Sequence, residues 1–235
     1  MLVTHWMSKS LVTVDVNDTI QEAIIRLQAN EISKLPVLER GSLVGIVTDR
    51  DVRRFWPSVA DSSSDIKDLV YMAVHMTVGL IMTKDPVTVP WSSSLQETAM
   101  VLLDNNISGC PVVNDDGKVV GMITKNDLFS AFISWTGVRT DGIQMGFLSE
   151  DRPGCICDII NAVRNHHGRI ASIMSSNQDA PPNFRHITVM TYNLKAEEVP
   201  EIRSELSGRA KMLFILDRLH NNREIFDETA PAIPP

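Results

Sequence analysis

Two short stretches carry residue types that could hold a ligand. Thr48-Asp49-Arg50-Asp51 and Thr124-Lys125-Asn126-Asp127 each set a hydroxyl and a carboxylate three residues apart, straight after an apolar run. Where a strand hands over to a helix, that spacing makes a capping box: the hydroxyl caps the helix start and the carboxylate bonds back. The same place suits a nucleotide. A helix start offers free N–H groups and a positive dipole end to phosphate, a threonine hydroxyl can donate to a phosphate oxygen, and an aspartate can accept both ribose hydroxyls. Both readings stay open at this point.

The remaining candidates for chemistry are sparse. Cys155 and Cys157 form a C-x-C pair with no second pair to complete a zinc site, and are expected to be small buried thiols on a helix. His166 and His167 lie near a helix end, where positive charge is favoured anyway. No Ser-His-Asp set, HExxH or glycine-rich phosphate loop is present, so catalytic residues and a catalytic cofactor are not expected and the chain reads as a non-enzyme.

The elements that must position the two Thr/Asp pairs come from an internal repeat. At an offset of about 75 residues, Met7-Ser8-Lys9 through Val12-Thr13-Val14 falls on Met82-Thr83-Lys84 through Val87-Thr88-Val89. Asn30-Glu31-Ile32-Ser33 then falls on Asn105-Asn106-Ile107-Ser108, and Pro36-Val37 on Pro111-Val112. After a one-residue insertion, Gly45 through Val52 falls on Gly121 through Leu128. Each copy reads as a strand (12–14, 87–89), a helix opened by a capping box (Thr19 with Glu22, Ser94 with Glu97), two strands and a second helix. The second strand pair turns through Asn114-Asp115-Asp116-Gly117, a hairpin signal.

Each copy resembles a CBS motif, and the tandem pair resembles a Bateman module, over about residues 1 to 135. That resemblance implies two clefts for AMP, ADP, ATP or S-adenosylmethionine. The Thr and Asp of each signature, Thr48 with Asp51 and Thr124 with Asp127, would take phosphate and ribose. Arg50 and Lys34 in the first copy, and Lys125 in the second, would add positive charge. The adenine would sit between Ser10 to Thr13, with Val12, and the strand near Lys34 to Pro36. Its counterpart would lie between Asp85 to Thr88, with Val87, and the strand near Gly109 to Pro111. The copies differ in charge: Gly109, Phe129 and Ser130 stand where Lys34, Arg53 and Arg54 stand in the first.

From Ile143 the pattern changes to β-α-β-β-α-β, a ferredoxin-like order. The turn Asp151-Arg152-Pro153-Gly154, followed by Gly168-Arg169-Ile170, resembles that of an ACT domain over about residues 142 to 217. That resemblance implies a small effector, such as an amino acid, near Asp151, Arg152 and Gly154. Taken alone, Asp151 reads as a helix cap and Pro153 as a first-turn residue. The whole order is similar to that of the acetoin-utilisation AcuB family. The fold class expected is thus α+β: CBS motifs at 1–57 and 78–135 around a linker at 58–77, an ACT-like domain at 142–217, and a flexible tail at 218–235.

Composition bounds the partners. With 22 basic against 29 acidic side chains, net −7, the chain lacks the overall basic character of a nucleic-acid binder. The most apolar stretch, Leu69 to Met82, is interrupted and short of the ~18 residues of a membrane span. Three cysteines make no disulfide framework and the start is not signal-like, so a cytoplasmic location is expected. The expected partners are an adenosyl nucleotide, a second copy of the chain and a regulated enzyme. The rival reading is an interaction subunit that uses the same folds to dimerise and dock without a nucleotide.

Overall fold

The computed structural model describes residues 1–60, 75–139 and 141–226, with backbone alone for 55–60. The expected linker between the copies, with its serine run at 62–64, and the end of the tail from 227 lie outside the described residues. The chain divides into two compact units, Met1–Phe129 and Ser130–Pro235.

In the first unit the repeat is seen twice. The helices Ile20–Ala29 and Leu95–Asp104 each open with the expected capping box, in which Thr19 and Ser94 accept from the N–H of Glu22 and Glu97 and those carboxylates bond back. Strands β1 (Val14–Asp15), β2 (Lys34–Glu39) and β3 (Ser42–Thr48) form one sheet with β4 (Thr83–Lys84). Strands β5 (Val89–Pro90), β6 (Gly109–Val113) and β7 (Val119–Thr124) form a second. Pro36 and Pro111 sit within β2 and β6, yet β1 and β5 pair only from Val37 and Val112 onward. Each proline therefore stands where the parallel neighbour has not yet begun, as a residue without an N–H must. The first strands are shorter than the β-branched runs suggested: Val12, Thr13, Val87 and Thr88 precede them outside regular structure.

The copies exchange their leading segments. Thr83 and Lys84, near the start of the second copy, pair with Ile46 and Gly45 of the first, while Ser8, near the start of the first, bridges Met122 of the second. The N–H of Ile20 donates to Met76 O, and that of Leu95 to Met1 O, both at 3.0 Å. Val78 packs in the first copy's core with Ile20, Leu27, Leu35 and Val47. Gly45 and Gly121 make room for this exchange. A Cβ on Gly121 would lie 2.6 Å from Met7 Sδ and 2.7 Å from Ser8 O, and one on Gly45 would meet Met82 in the same way.

The second unit contains β8 (Ile143–Glu150), the helix Cys155–Asn165, β9 (Arg169–Ser176), β10 (Phe184–Tyr192), the helix Val199–Glu205, β11 (Ala210–Asp217) and β12 (Asn222–Ile225). Its sheet runs β12-β11-β8-β10-β9, antiparallel throughout. Both helices pack through Ile159, Val163, Val199 and Ile202 on a core of Met145, Phe147, Ile187 and Val189. Strand β12 falls within the segment expected to be a flexible tail. It forms because the Asp217 carboxylate closes a tight turn, accepting from the N–H of Leu219 and His220, so that Asn222–Ile225 folds back on β11.

Candidate functional site

The helices Asp49–Ala60 and Lys125–Thr136 both begin on the residue after a strand's terminal threonine. Asp51 Oδ2 accepts from the N–H of Thr48 at 2.8 Å and from its hydroxyl at 2.7 Å, and Asp51 N–H returns a bond to Thr48 Oγ1 at 3.2 Å. Asp127 and Thr124 repeat the pattern at 2.7, 2.6 and 3.4 Å. Both capping boxes are therefore formed, and they spend the threonine proton on the aspartate. The expected hydroxyl-to-phosphate bond is pre-empted in this arrangement. Donors toward an anion have to come from helix N–H groups and from lysine or arginine instead, while Asp51 Oδ1 takes none of these bonds.

Thr48 and Asp51 line a cleft of about 700 Å³. Lys34, Arg50, Val87 and Lys125 line it too, so six of the residues singled out from the sequence meet in one place. That volume is within the range of small-molecule sites. The walls differ from those expected. Asp85 to Val87, assigned to the second copy, lie against the Thr48 box of the first, because β4 is paired with β3 and carries the following residues with it. Val12 and Thr13, expected beside Lys34 to Pro36, are not part of this cleft. Pro36 and Pro111 are buried inside their strands, and Thr88, Thr124 and Asp127 lie outside the cleft. Ser33, Asn106 and Ser108 line it without having been singled out as binding side chains. The signal that could have found them is the pairing of the leading segments, which a single copy does not display.

Lys34 is the unusual group of the cleft. Only 8% of its surface is exposed, and its ammonium donates to Ser108 Oγ of the other copy at 2.8 Å. Burial pushes its pKa below the usual lysine value, against the pull of the Asp49 carboxylate. Its repeat partner is Gly109, where a Cβ would lie 2.6 Å from Ile123 O. No side chain fits there, so of these two matched positions only the first carries a lysine.

In the second unit, Asp151, Arg152 and Gly154 line a cavity of about 480 Å³ with Cys157 and Arg185. Asp151 does not cap the following helix; Gly154 holds the cap position in the left-handed region (φ 90°) and Asp151 pairs with Arg185 Nε at 3.1 Å. Arg152 pairs with Asp158 at 2.5 Å. Cys155 is buried as expected, but Cys157 is exposed, because it stands on the opposite side of the helix from the core positions Cys155 and Ile159. Among the described residues no helix is long and apolar enough to cross a membrane.

The sequence model of the CBS domain matches residues 3–58 and 78–134. A CBS domain-containing protein of Dictyostelium discoideum is 37% identical over 134 residues, which is 57% of this chain and 92% of that one. Inosine-5'-monophosphate dehydrogenase of Korarchaeum cryptofilum is 34% identical over 121 residues, 52% of this chain, which spans only 22% of that enzyme. Among solved structures, the CBS-pair protein CBSX2 from Arabidopsis thaliana is 27% identical, with a TM-score of 0.48 over 56% of this chain and 94% of that one. CBSX2 in complex with AMP is 27% identical, with a TM-score of 0.46 over 56% and 96%.

Proposed function

This chain belongs to the family of CBS domain-containing proteins, and on that premise we propose that it is a ligand-sensing regulator whose first unit binds an adenosyl nucleotide. The observation that carries the reading is the convergence in one cleft of a helix start, cationic side chains that include Lys34, Arg50 and Lys125, the acidic acceptor Asp51 and the apolar Val87. The helix end and the cations suit phosphate, the aspartate suits ribose hydroxyls, and Val87 with Ile107 offers an apolar wall to the base. Occupancy would act on a partner by favouring one arrangement of the copies over another, which requires unequal affinity for the two.

The second unit is proposed to be an ACT-like domain, in the manner of the AcuB family. The cavity at Asp151, Arg152 and Gly154 would take a small effector there, and the chain would work as a homodimer. Regulation, rather than turnover of the nucleotide, is the proposed role.

The test is thermal unfolding of ligand-free protein with AMP, ADP, ATP, S-adenosylmethionine, NAD and the common amino acids. A ligand at a hundred times its Kd stabilises by about 2.7 kcal/mol, which raises Tm by several degrees at roughly 2–4 °C per kcal/mol. A rise with an adenosyl ligand, absent from the Asp51→Ala, Asp127→Ala double variant, supports the reading. No rise with any nucleotide leaves both boxes as helix caps only and favours an interaction subunit.

A further inference from the structure

We infer that the two repeat-related clefts are matched to adenosyl ligands of different charge: the Thr48 cleft to a phosphorylated one, the Thr124 cleft to one without phosphate. This rests on the nucleotide reading above and deepens it. Both copies exchange their leading segments, although Asp85 is left-handed (φ 47°) where its match Ser10 is not. Ser8 bridges Met122 as Thr83 pairs with Ile46, and both Thr/Asp boxes close alike. Whatever lines the Thr48 cleft therefore has a counterpart around Thr124.

Four lining residues make no difference between the two. Lys34 and Gly109 are repeat partners, as are Asp49 and Lys125, and all four line the Thr48 cleft, so the same four surround its counterpart. The difference lies at the other charged positions. Arg50 lines the Thr48 cleft, and Asn126 stands at the matching place. Asn106 lines it too, and its match is Glu31. Both have positive φ, 50° and 52°, so their side chains leave equivalent backbone. Asp85 is matched by Ser10, and in the sequence Arg54 is matched by Ser130.

The differing positions thus add two positive charges and one negative charge to the Thr48 cleft, against one negative charge around Thr124. Because the threonine hydroxyls are committed to their aspartates, phosphate has to be held by cations and backbone N–H groups. Only the Thr48 cleft adds an arginine at the helix start for that task. A carboxylate at Glu31 opposes phosphate around Thr124 and leaves an uncharged or cationic adenosyl ligand acceptable.

The experiment is calorimetric titration of the full chain with ADP and with adenosine, which share base and ribose and differ in charge. One ADP site is expected, and ADP-saturated protein is expected to take up adenosine at a second. Arg50→Asn should weaken ADP roughly 10- to 100-fold, the loss of a charged hydrogen bond. The double change Glu31→Asn, Asn126→Arg should create a second ADP site. Two ADP sites of equal affinity in the unaltered chain, or no adenosine uptake after ADP saturation, overturn the inference while leaving nucleotide binding intact. Absence of binding by both ligands overturns the nucleotide reading itself, and this inference with it.

Discussion

The ammonium of Lys34 reaches from the first copy to Ser108 Oγ of the second at 2.8 Å, and it is the buried cation of the cleft they share. Burying an ammonium against one hydroxyl and a nearby carboxylate opposes folding, as its lowered pKa records. Its folded pKa lies below the unfolded one, so its unfavourable contribution is complete below the folded pKa and is relieved as pH rises through it toward the ordinary lysine value. Lys34→Met should therefore unfold at the same temperature as the unaltered protein or higher. The same variant should bind a phosphorylated nucleotide roughly 10- to 100-fold more weakly. Calorimetry with melting curves reads both, and a large fall in Tm would sink the idea that Lys34 is retained for binding.

Two boxes of one geometry separate capping from binding. Thr19 with Glu22 and Thr48 with Asp51 make the same reciprocal bonds, but only the second lines the cleft. Thr19→Ala and Asp51→Ala should each cost about 1 kcal/mol in denaturant unfolding. Only Asp51→Ala should also abolish the nucleotide-induced rise in Tm. Equal binding by the two variants would show that Asp51 serves the helix alone.

Gly121 lets the leading segment of the first copy cross the second. Its Cβ would lie 2.6 Å from Met7 Sδ and 2.7 Å from Ser8 O, and the carbonyl is backbone held by its own bonds to Met122. Gly121→Ala should destabilise by about 1–3 kcal/mol. Gly117→Ala is an instructive contrast. No atom stands within 4 Å there, but the positive φ of 75° imposes backbone strain without any displacement of the leading segment. Protease cleavage near Met7 should therefore accelerate in the first variant and not in the second.

The three thiols should react in a fixed order. Cys157 is exposed, whereas Cys110 and Cys155 are buried. Burial raises the Cys110 thiol from the ordinary value near 9 to about 11, despite the nearby Lys34. A thiol reagent at pH 8 should modify one cysteine per folded chain quickly and the other two only on unfolding. Because the folded pKa is the higher, Cys110 favours the folded state fully below pH 9, and that contribution is lost as pH rises toward 11. Rapid labelling of two or more thiols in folded protein would contradict the burial.

Asp217 closes the turn that brings β12 back onto β11. Burial alone would raise its pKa, but the side-chain and backbone bonds from His220 outweigh that and hold it below the usual range. The contribution is present above the unfolded pKa and disappears as pH falls through the folded one. Asp217→Asn should flatten the acid limb of stability for this unit. Hydrogen exchange should quicken at Asn222 to Ile225, while an unchanged exchange rate would place the turn's stability elsewhere.

Local chemistry made much of this legible in one dimension. The capping boxes at Thr19 and Ser94 showed as hydroxyl and carboxylate three residues apart. The hairpin at Asn114 to Gly117 showed as turn residues between apolar runs, and the repeat showed as matched spacing. Each of these is decided within a few residues of chain, which is why residue type and spacing suffice. Thr98 shows the limit even there: a polar residue, it faces the core, its hydroxyl satisfied by Ser94 O one turn back.

What the tertiary structure alone decided was which copy supplies which wall. The repeat matches Val12 with Val87 but is silent on whether each stays with its own Thr/Asp pair. Backbone pairing between residues tens of positions apart, Thr83 with Ile46 and Ser8 with Met122, carries Val87 to Thr48. The exclusion of any side chain at Gly109 is likewise a matter of an Ile123 carbonyl brought close by the strand pairing. Strand β12 depends on a turn closed by Asp217, and its four exposed residues, Asn222 to Ile225, offer no apolar pattern to announce it. Hydrogen bonding between distant strands leaves no periodic mark on the chain, so the cleft's composition had to come from the fold while its chemistry was already written at Thr48 and Asp51.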